Sequence, residues 1–478
     1  MGGGLAALAA ATVSRSGPLG DAGRSPGSAV STGGEYMSGL TILALVFVLY
    51  ALLAGRLDRL SITAPMVFVV VGGILGPGGT GLLRVSFSNE TALAITEITL
   101  ALLLFADAST VRVRDLEGDA TLPSRLLFVG LPLTVVLGAV LAYLMEPSIG
   151  WAAAALVATI LAPTDAALGL AVVTNTAVPG RIRRALNVES GLNDGLVIPF
   201  VTLFLAIVVS EESSANEGWV AAALTQIGLA VVAAVVVGLG GGWLVSRARS
   251  HAWTSPVSEQ LAVLALAVLA YTGSVAVGGN GFVAAFVGGL LFGQATKGSL
   301  YGPVEFSETI GLFMSFFVWT LFGALFVGPV LTRQTHWTAI GYAVLSLTVV
   351  RMLPVALSLI GLGMHRSTLL FMGWFGPRGL ASVVFTLVAL EDLKSGSPDQ
   401  NPLVQVATWT ILLSVAAHGV TAGIWAPRYG ARMISRGDVP ELAPAHQPRM
   451  RKRALTRHPS HGDTVDQADT VDQGGEQG

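Results

Sequence analysis

Val71-Gly-Gly-Ile-Leu-Gly76 and Val287-Gly-Gly-Leu-Leu-Phe-Gly293 begin 216 residues apart, each inside an apolar stretch. Pro163 and Pro377 interrupt two other apolar stretches and lie 214 residues apart. Two offsets that agree this closely predict that one half of the chain repeats the other. Working outward, apolar runs near the ~20 residues needed to cross a bilayer recur at 39–55, 61–77, 92–109, 124–144, 150–174, 185–210, 219–245, 257–277, 279–296, 305–328, 336–360, 367–391 and 402–426. Shifted by that offset, the first six land on the eighth to the thirteenth. Six spans, one linker span and six more must place the halves in opposite orientations, which is the inverted-topology repeat of many secondary transporters. The expected fold is therefore an all-α polytopic membrane protein. It has about 13 transmembrane helices in an inverted 6+6 repeat, with two broken helices crossing at mid-membrane. Residues 1–38 are expected to be a disordered N-terminal tail. Residues 39–428 form the membrane domain, with halves at 39–210 and 257–426 and a linker helix at 219–245. Residues 429–478 are a short disordered tail.

Composition supports this reading. Of the 478 residues 53% are hydrophobic and 12% charged, against about 25% charged in an ordinary soluble protein. Mean hydropathy is +0.70. A free-standing soluble enzyme, a disordered chain and a nucleic-acid binder are all excluded. Net charge is −2, so no global field points to an anionic partner. The absence of cysteine excludes thiol catalysis and Cys-ligated metal. No Walker motif, dinucleotide fingerprint or Ser/His/Asp pattern stands out, so neither nucleotide-driven transport nor enzymatic activity is expected. Met1–Ala11 lacks the basic residues that open a signal peptide. Met37, directly before the first span, is a candidate translation start.

Basic residues follow the positive-inside rule. With the N-terminus outside, only Arg15, Arg24, Arg84, Arg333 and Lys394 fall outside, and the C-terminus is cytoplasmic. Arg351 and Arg378 fall within spans. The final tail is basic over Arg449–Arg457, which suits contact with anionic membrane lipid, and then acidic, with a duplicated Asp-Thr-Val-Asp-Gln at Asp463 and Asp469.

Ionisable residues inside spans mark a pathway by default. Ala162-Pro163-Thr164-Asp165 sits mid-way along the fifth span. Proline removes a backbone donor and clashes with the preceding turn, so the helix should break beside a carboxylate. Free carbonyls and a carboxylate together suit a hard cation such as Na⁺. Gly376-Pro377-Arg378-Gly379 is the matching break in the twelfth span. In the sixth span, Ser190 and Asp194 are i,i+4 and share a helical face, as do Glu189 and Asn193. Asp165 and Asp194 are the expected cation and proton ligands, because neighbouring carboxylates in a low dielectric raise one pKa between them. A buried arginine needs a partner, and Glu189 is the expected one for Arg378. Accessory candidates are Asp107 at the cation entry and Arg351 beside Pro354. His418 in the thirteenth span is either a pH-sensing group or a hydrogen-bonded packing histidine. Glu97 is a weaker candidate in the third span.

Thr164-Asp165, Glu189-Ser190-x-x-Asn193-Asp194-Gly195, Gly376-x-Arg378-Gly379 and His418-Gly419-Val420-Thr421, in this order over residues 40–430, resemble the monovalent cation:proton antiporter-1 family. That family includes NhaP-type prokaryotic Na⁺/H⁺ antiporters and the animal sodium/hydrogen exchangers. The resemblance implies an elevator-type antiporter, usually a homodimer, in a bacterial inner membrane. It exchanges Na⁺ (K⁺ or Li⁺ in some members) for H⁺ without a resident cofactor. It places the ion site on Thr164, Asp165, Ser190 and Asp194, and the structural pair on Glu189 and Arg378 with Asn193 alongside. Asn rather than Asp at position 193 implies electroneutral exchange. One departure is Asp165-Ala-Ala, where many members carry Asp-Pro-Val; it shifts where the helix break falls. A K⁺/H⁺ antiporter, a cation channel and a membrane sensor are the rival readings.

Overall fold

The computed structural model describes residues 28–83, 90–111, 120–165, 167–213, 218–332, 336–393, 401–437 and 439–443. Among them every regular element is helical. In chain order these are α1 (Ser28–Arg59), α2 (Ala64–Leu75), α3 (Glu90–Thr110), α4 (Thr121–Met145), α5 (Gly150–Ile160), the single turn α6 (Leu170–Val173) and α7 (Gly180–Ser213). There follow α8 (Trp219–Ser250), α9 (Pro256–Ala276), α10 (Gly281–Thr296), α11 (Tyr301–Thr332), α12 (Trp337–Ser358), α13 (Arg366–Trp374), α14 (Leu380–Leu393) and α15 (Pro402–Ile434). Helix is the expected solution, since a segment in lipid must satisfy its own backbone polar groups. Starts are set by local chemistry: Asn280 and Asn401 accept from Val283 N and Leu403 N at 3.0 and 2.9 Å, and Ser255 caps α9 just before Pro256.

Among the described residues nine helices are long and apolar enough to cross a membrane, and three shorter apolar helices accompany them. The expected segments 150–174 and 367–391 are both interrupted, the first between α5 and the single turn α6. The second is split between α13 and α14, neither long enough alone. Two expected ends move. Helix α1 already starts at Ser28, inside the stretch read as a tail, and α15 runs to Ile434. Hydropathy marks the length facing lipid, whereas an established helix propagates beyond it at little cost. Residues 1–27, the basic run Arg449–Arg457 and the duplicated acidic motif lie outside the described residues.

The two glycine motifs explain how the halves pair. A Cβ on Gly72 would overlap the Thr320 carbonyl, and one on Gly76 would meet Ala324 Cα at 2.6 Å, so α2 lies hard against α11. In the other half, a Cβ on Gly289 or Gly293 would overlap the carbonyls of Phe105 and Ser109, so α10 lies hard against α3. The second expected span packs on the tenth, and the ninth on the third. Exchanging the halves turns one pair into the other, as an inverted repeat requires. Small residues allow this backbone approach.

Beyond α15 the chain turns back, and Pro440–Leu442 forms one short helical turn. The Glu441 carboxylate, fully buried, accepts from His365 N at 2.7 Å and from the Thr368 hydroxyl at 2.6 Å, at the start of α13. Arg181 at the start of α7 donates to the Pro440 carbonyl at 3.0 Å. Burial pushes the Glu441 pKa up, but the hydrogen bonds to its charged form outweigh burial and hold it below the ordinary carboxylate value. A lowered folded-state pKa contributes stability that is present above the ordinary carboxylate range and lost as pH falls through the folded value. Glu441→Gln is thus expected to destabilise the protein by about 2 kcal/mol at neutral pH. In thermal unfolding across a pH series, the gap from the parent should close on acidification. A gap independent of pH would refute the charged hydrogen bonds.

Candidate functional site

Helix α5 ends at Ile160, three residues before Pro163, and the chain leaves the helix until the single turn α6. Helix α13 ends at Trp374, and Phe375–Gly379 runs without helix around Pro377 into α14. The two breaks cross and are stitched together. Asp165 N donates to the Pro377 carbonyl at 2.8 Å. Ser382 Oγ, in α14, donates to the Ile160 carbonyl at 2.7 Å. Arg378 Nη1 donates to the Ala162 carbonyl at 2.6 Å. The Asp165 carboxylate accepts from Ala167 N at 2.6 Å and from Leu380 N at 3.3 Å. The charges are complementary to the helix ends. A carboxylate faces the positive N-terminus of α14, and a guanidinium faces the negative C-terminus of α5. The carbonyls freed by the break are met by Arg378 and Ser382.

Gly379 makes the crossing possible, since a Cβ there would overlap the Asp165 side chain. Gly379→Ala is therefore expected to lower stability by roughly 1–3 kcal/mol and to displace Asp165 from Leu380 N. Thermal unfolding together with cation/proton exchange in vesicles checks this; parent-like values in both would contradict the crossing.

Helix α7 brings the other polar groups to the same place. Thr164 Oγ1 lies 3.0 Å from Ser190 Oγ and accepts from Asn193 Nδ2 at 2.7 Å. All three side chains are buried. Asn193 Oδ1 is buried with no hydrogen-bond partner. Asp194, half-buried, is one turn beyond Ser190 on the same face. Thus Thr164, Ser190 and Asn193 converge, with Asp165 next to Thr164 in the chain and Asp194 one turn along α7.

The expected ion pair is corrected. Glu189 Oε1 pairs with Arg351 Nη1 at 2.6 Å, both fully buried, and not with Arg378. Gly376 is the reason. Its missing side chain leaves the space that the Arg351 guanidinium occupies, since a Cβ there would overlap Nε. Arg378 instead serves carbonyls, those of Ala162 and, at 3.4 Å, Ser346. Arg351, read as accessory, is central.

His418 is fully buried and holds both flanks of the second break. Its Nε2 lies 2.8 Å from the Trp374 carbonyl and its Nδ1 3.1 Å from Ser414 Oγ, which accepts from Arg378 N at 2.7 Å. Nδ1 also lies 2.9 Å from the Ser414 carbonyl, so a ring protonated on Nε2 donates to Trp374 and takes the Ser414 hydroxyl at Nδ1, whereas a proton on Nδ1 is donated to that carbonyl. His418 is thus hydrogen-bonded to both sides of the break. Asp107 is buried near the end of α3, two residues before Ser109, whose carbonyl meets Gly293. Ser382, Ser414, Gly376 and Gly379 were not singled out as site residues. The glycines stand in the Gly376-Pro377-Arg378-Gly379 break, and the i,i+4 spacing of Ser414 and His418 is a signal for Ser414.

Among the described residues no group of three or more His, Cys, Asp or Glu side chains could hold a metal ion. The cluster offers hydroxyl, amide and carboxylate oxygens, a set suited to a hard cation.

Residues 42–427 match the sequence profile described as sodium/hydrogen exchanger, transmembrane. A K⁺/H⁺ antiporter NhaP2 of Shewanella sp. (strain ANA-3) is 24% identical over 388 residues, covering 79% of this chain and 64% of that protein. The Na⁺/H⁺ antiporter ApNhaP of Aphanothece halophytica is 25% identical over 375 residues, covering 74% and 67%. The chain thus spans about two thirds of the length of these relatives. The structure of the sodium proton antiporter MjNhaP1 from Methanocaldococcus jannaschii at pH 8 superposes with a TM-score of 0.66 at 21% identity, covering 83% of this chain and 99% of that one.

Proposed function

Because the chain belongs to the sodium/hydrogen exchanger family, we propose that it is a secondary active transporter exchanging a monovalent cation, Na⁺ foremost, for H⁺. The observation that carries this is the charge around the crossed breaks. Glu189, Asp165 and Asp194 bring three carboxylates, and Arg351 and Arg378 bring two guanidinium groups. An uncompensated charge away from water is costly. One monovalent cation or one proton cancels the deficit, and the two exclude each other. Loaded on alternate sides of the membrane, such a site exchanges one for the other. Asn193, neutral where an acid would add a second deficit, supports one proton per cation. Thr164, Ser190 and the free Asn193 Oδ1 supply further oxygens for the dehydrated ion.

Asp165 and Asp194 are the ion and proton ligands in this reading, Thr164 and Ser190 complete the shell, and Glu189 with Arg351, Arg378 and Asn193 hold it in shape. In this reading the protein sits in the plasma membrane, and the arginine distribution supports the N-terminus outside and the C-terminus cytoplasmic. Exposed apolar residues along α1 and α8, such as Leu52 and Val236, suit lipid and a second copy of the chain. K⁺/H⁺ exchange is the second reading, favoured by the relative named as a K⁺/H⁺ antiporter.

The test is the purified protein in liposomes carrying a preset pH difference, followed with a fluorescent dye. Collapse of the gradient by Na⁺ supports the first reading, and collapse by K⁺ alone supports the second. No proton movement with either ion in a folded preparation would overturn both and favour a channel or sensor.

A further inference from the structure

The start of α7 is rich in positive charge. Its first turn contains Arg181, Arg183 and Arg184 and no acidic residue. The N-terminus of a helix is its positive end, where cations are unfavourable and anions bind. Arg183 is 6% exposed, and its Nε is buried with no hydrogen-bond partner. No carboxylate acts on it among the described residues. Its Nη2 sits 3.8 Å from where a Gly180 Cβ would be, so the guanidinium folds back over the first turn of the helix. Leaving a buried guanidinium uncompensated is costly.

We propose that the first turn of α7 is a binding site for a phosphate group, with Arg183 as its ligand. A guanidinium matches two phosphate oxygens at once. The surroundings are positive. A Cβ on Gly430 would overlap the Ala177 carbonyl, so α15 lies against the loop that enters α7, and Arg428 and Arg432 are exposed along that helix. Such a basic end draws phosphate from a lipid headgroup or from free phosphate. Helix α7 also carries Glu189, Ser190, Asn193 and Asp194, so the site would anchor the element that holds the transported ion.

The experiment is thermal unfolding of the purified full chain in neutral detergent at fixed ionic strength. The additions are inorganic phosphate, phosphatidylglycerol or phosphatidylcholine. The expected result is a rise in Tm of at least about 3 °C with phosphatidylglycerol and none with phosphatidylcholine. A rise with inorganic phosphate as well identifies free phosphate as a sufficient ligand. Arg183→Gln should remove the rise, and Arg183→Lys, which keeps the charge without the fork, should retain part of it. No rise in the parent with either phosphate source, or an equal rise in Arg183→Gln, overturns the site. Should the Gln variant not fold, phosphatidylglycerol retention by the parent and Arg183→Lys in native mass spectrometry decides, and equal retention overturns it.

Discussion

Asp194→Asn is expected to abolish cation/proton exchange in liposomes while leaving the protein folded. Asparagine keeps the volume and the helical backbone of α7, so Thr164, Ser190 and Asn193 stay in contact. It cannot take up the transported proton, and it removes one of three carboxylates from a site that holds two guanidinium groups. The charge deficit that accepts either a cation or a proton then vanishes. The exchange rate should fall at least about a hundredfold, the equivalent of losing roughly 3 kcal/mol of ion binding. Thermal unfolding of the same preparation should stay close to the parent, because the half-buried side chain is replaced by one of equal size. Undiminished exchange would remove Asp194 from the mechanism.

The Glu189–Arg351 pair gives the largest expected loss of stability. Both side chains are buried, and removing one partner leaves an uncompensated charge away from water. Glu189→Gln and Arg351→Met are each expected to cost about 3–5 kcal/mol. The double variant should recover much of that loss, because it removes both charges together. Combining Glu189→Gln with Arg378→Met should recover little, since Arg378 holds the Ala162 carbonyl at the end of α5. Denaturant or thermal unfolding of these variants and of the single Arg378→Met in detergent reads both couplings directly. Strong recovery with Arg378→Met and none with Arg351→Met would restore the pairing expected from sequence.

That pairing shows where sequence reading stops. Pro163 and Pro377 announce the breaks because proline acts on its own helix. The i,i+4 spacing announces that Ser190 and Asp194 share a face, because helix geometry is local. The glycine strings announce the repeat, and their packing partners on α11 and α3 follow the same symmetry. Which arginine reaches Glu189 is not local. It depends on how three helices cross and on the vacancy at Gly376, and neither leaves a pattern within one span. The Glu441 contact with the start of α13 is hidden for a related reason. A single glutamate in a polar stretch carries no periodicity, and its partners lie 76 and 73 residues away in sequence. Helix ends at Ser28 and Ile434 were missed because hydropathy reports lipid contact, not backbone hydrogen bonding.

One measurement bears most directly on a site short of a single positive charge. The protein is reconstituted in liposomes, and the rate of Na⁺-driven proton movement is recorded at several membrane potentials set with K⁺ and valinomycin. If one cation replaces one proton at Asp165 and Asp194, no net charge crosses and the rate is the same at every potential. A rate that changes steadily with the imposed potential would mean unequal charges are exchanged, and would contradict the single-deficit site.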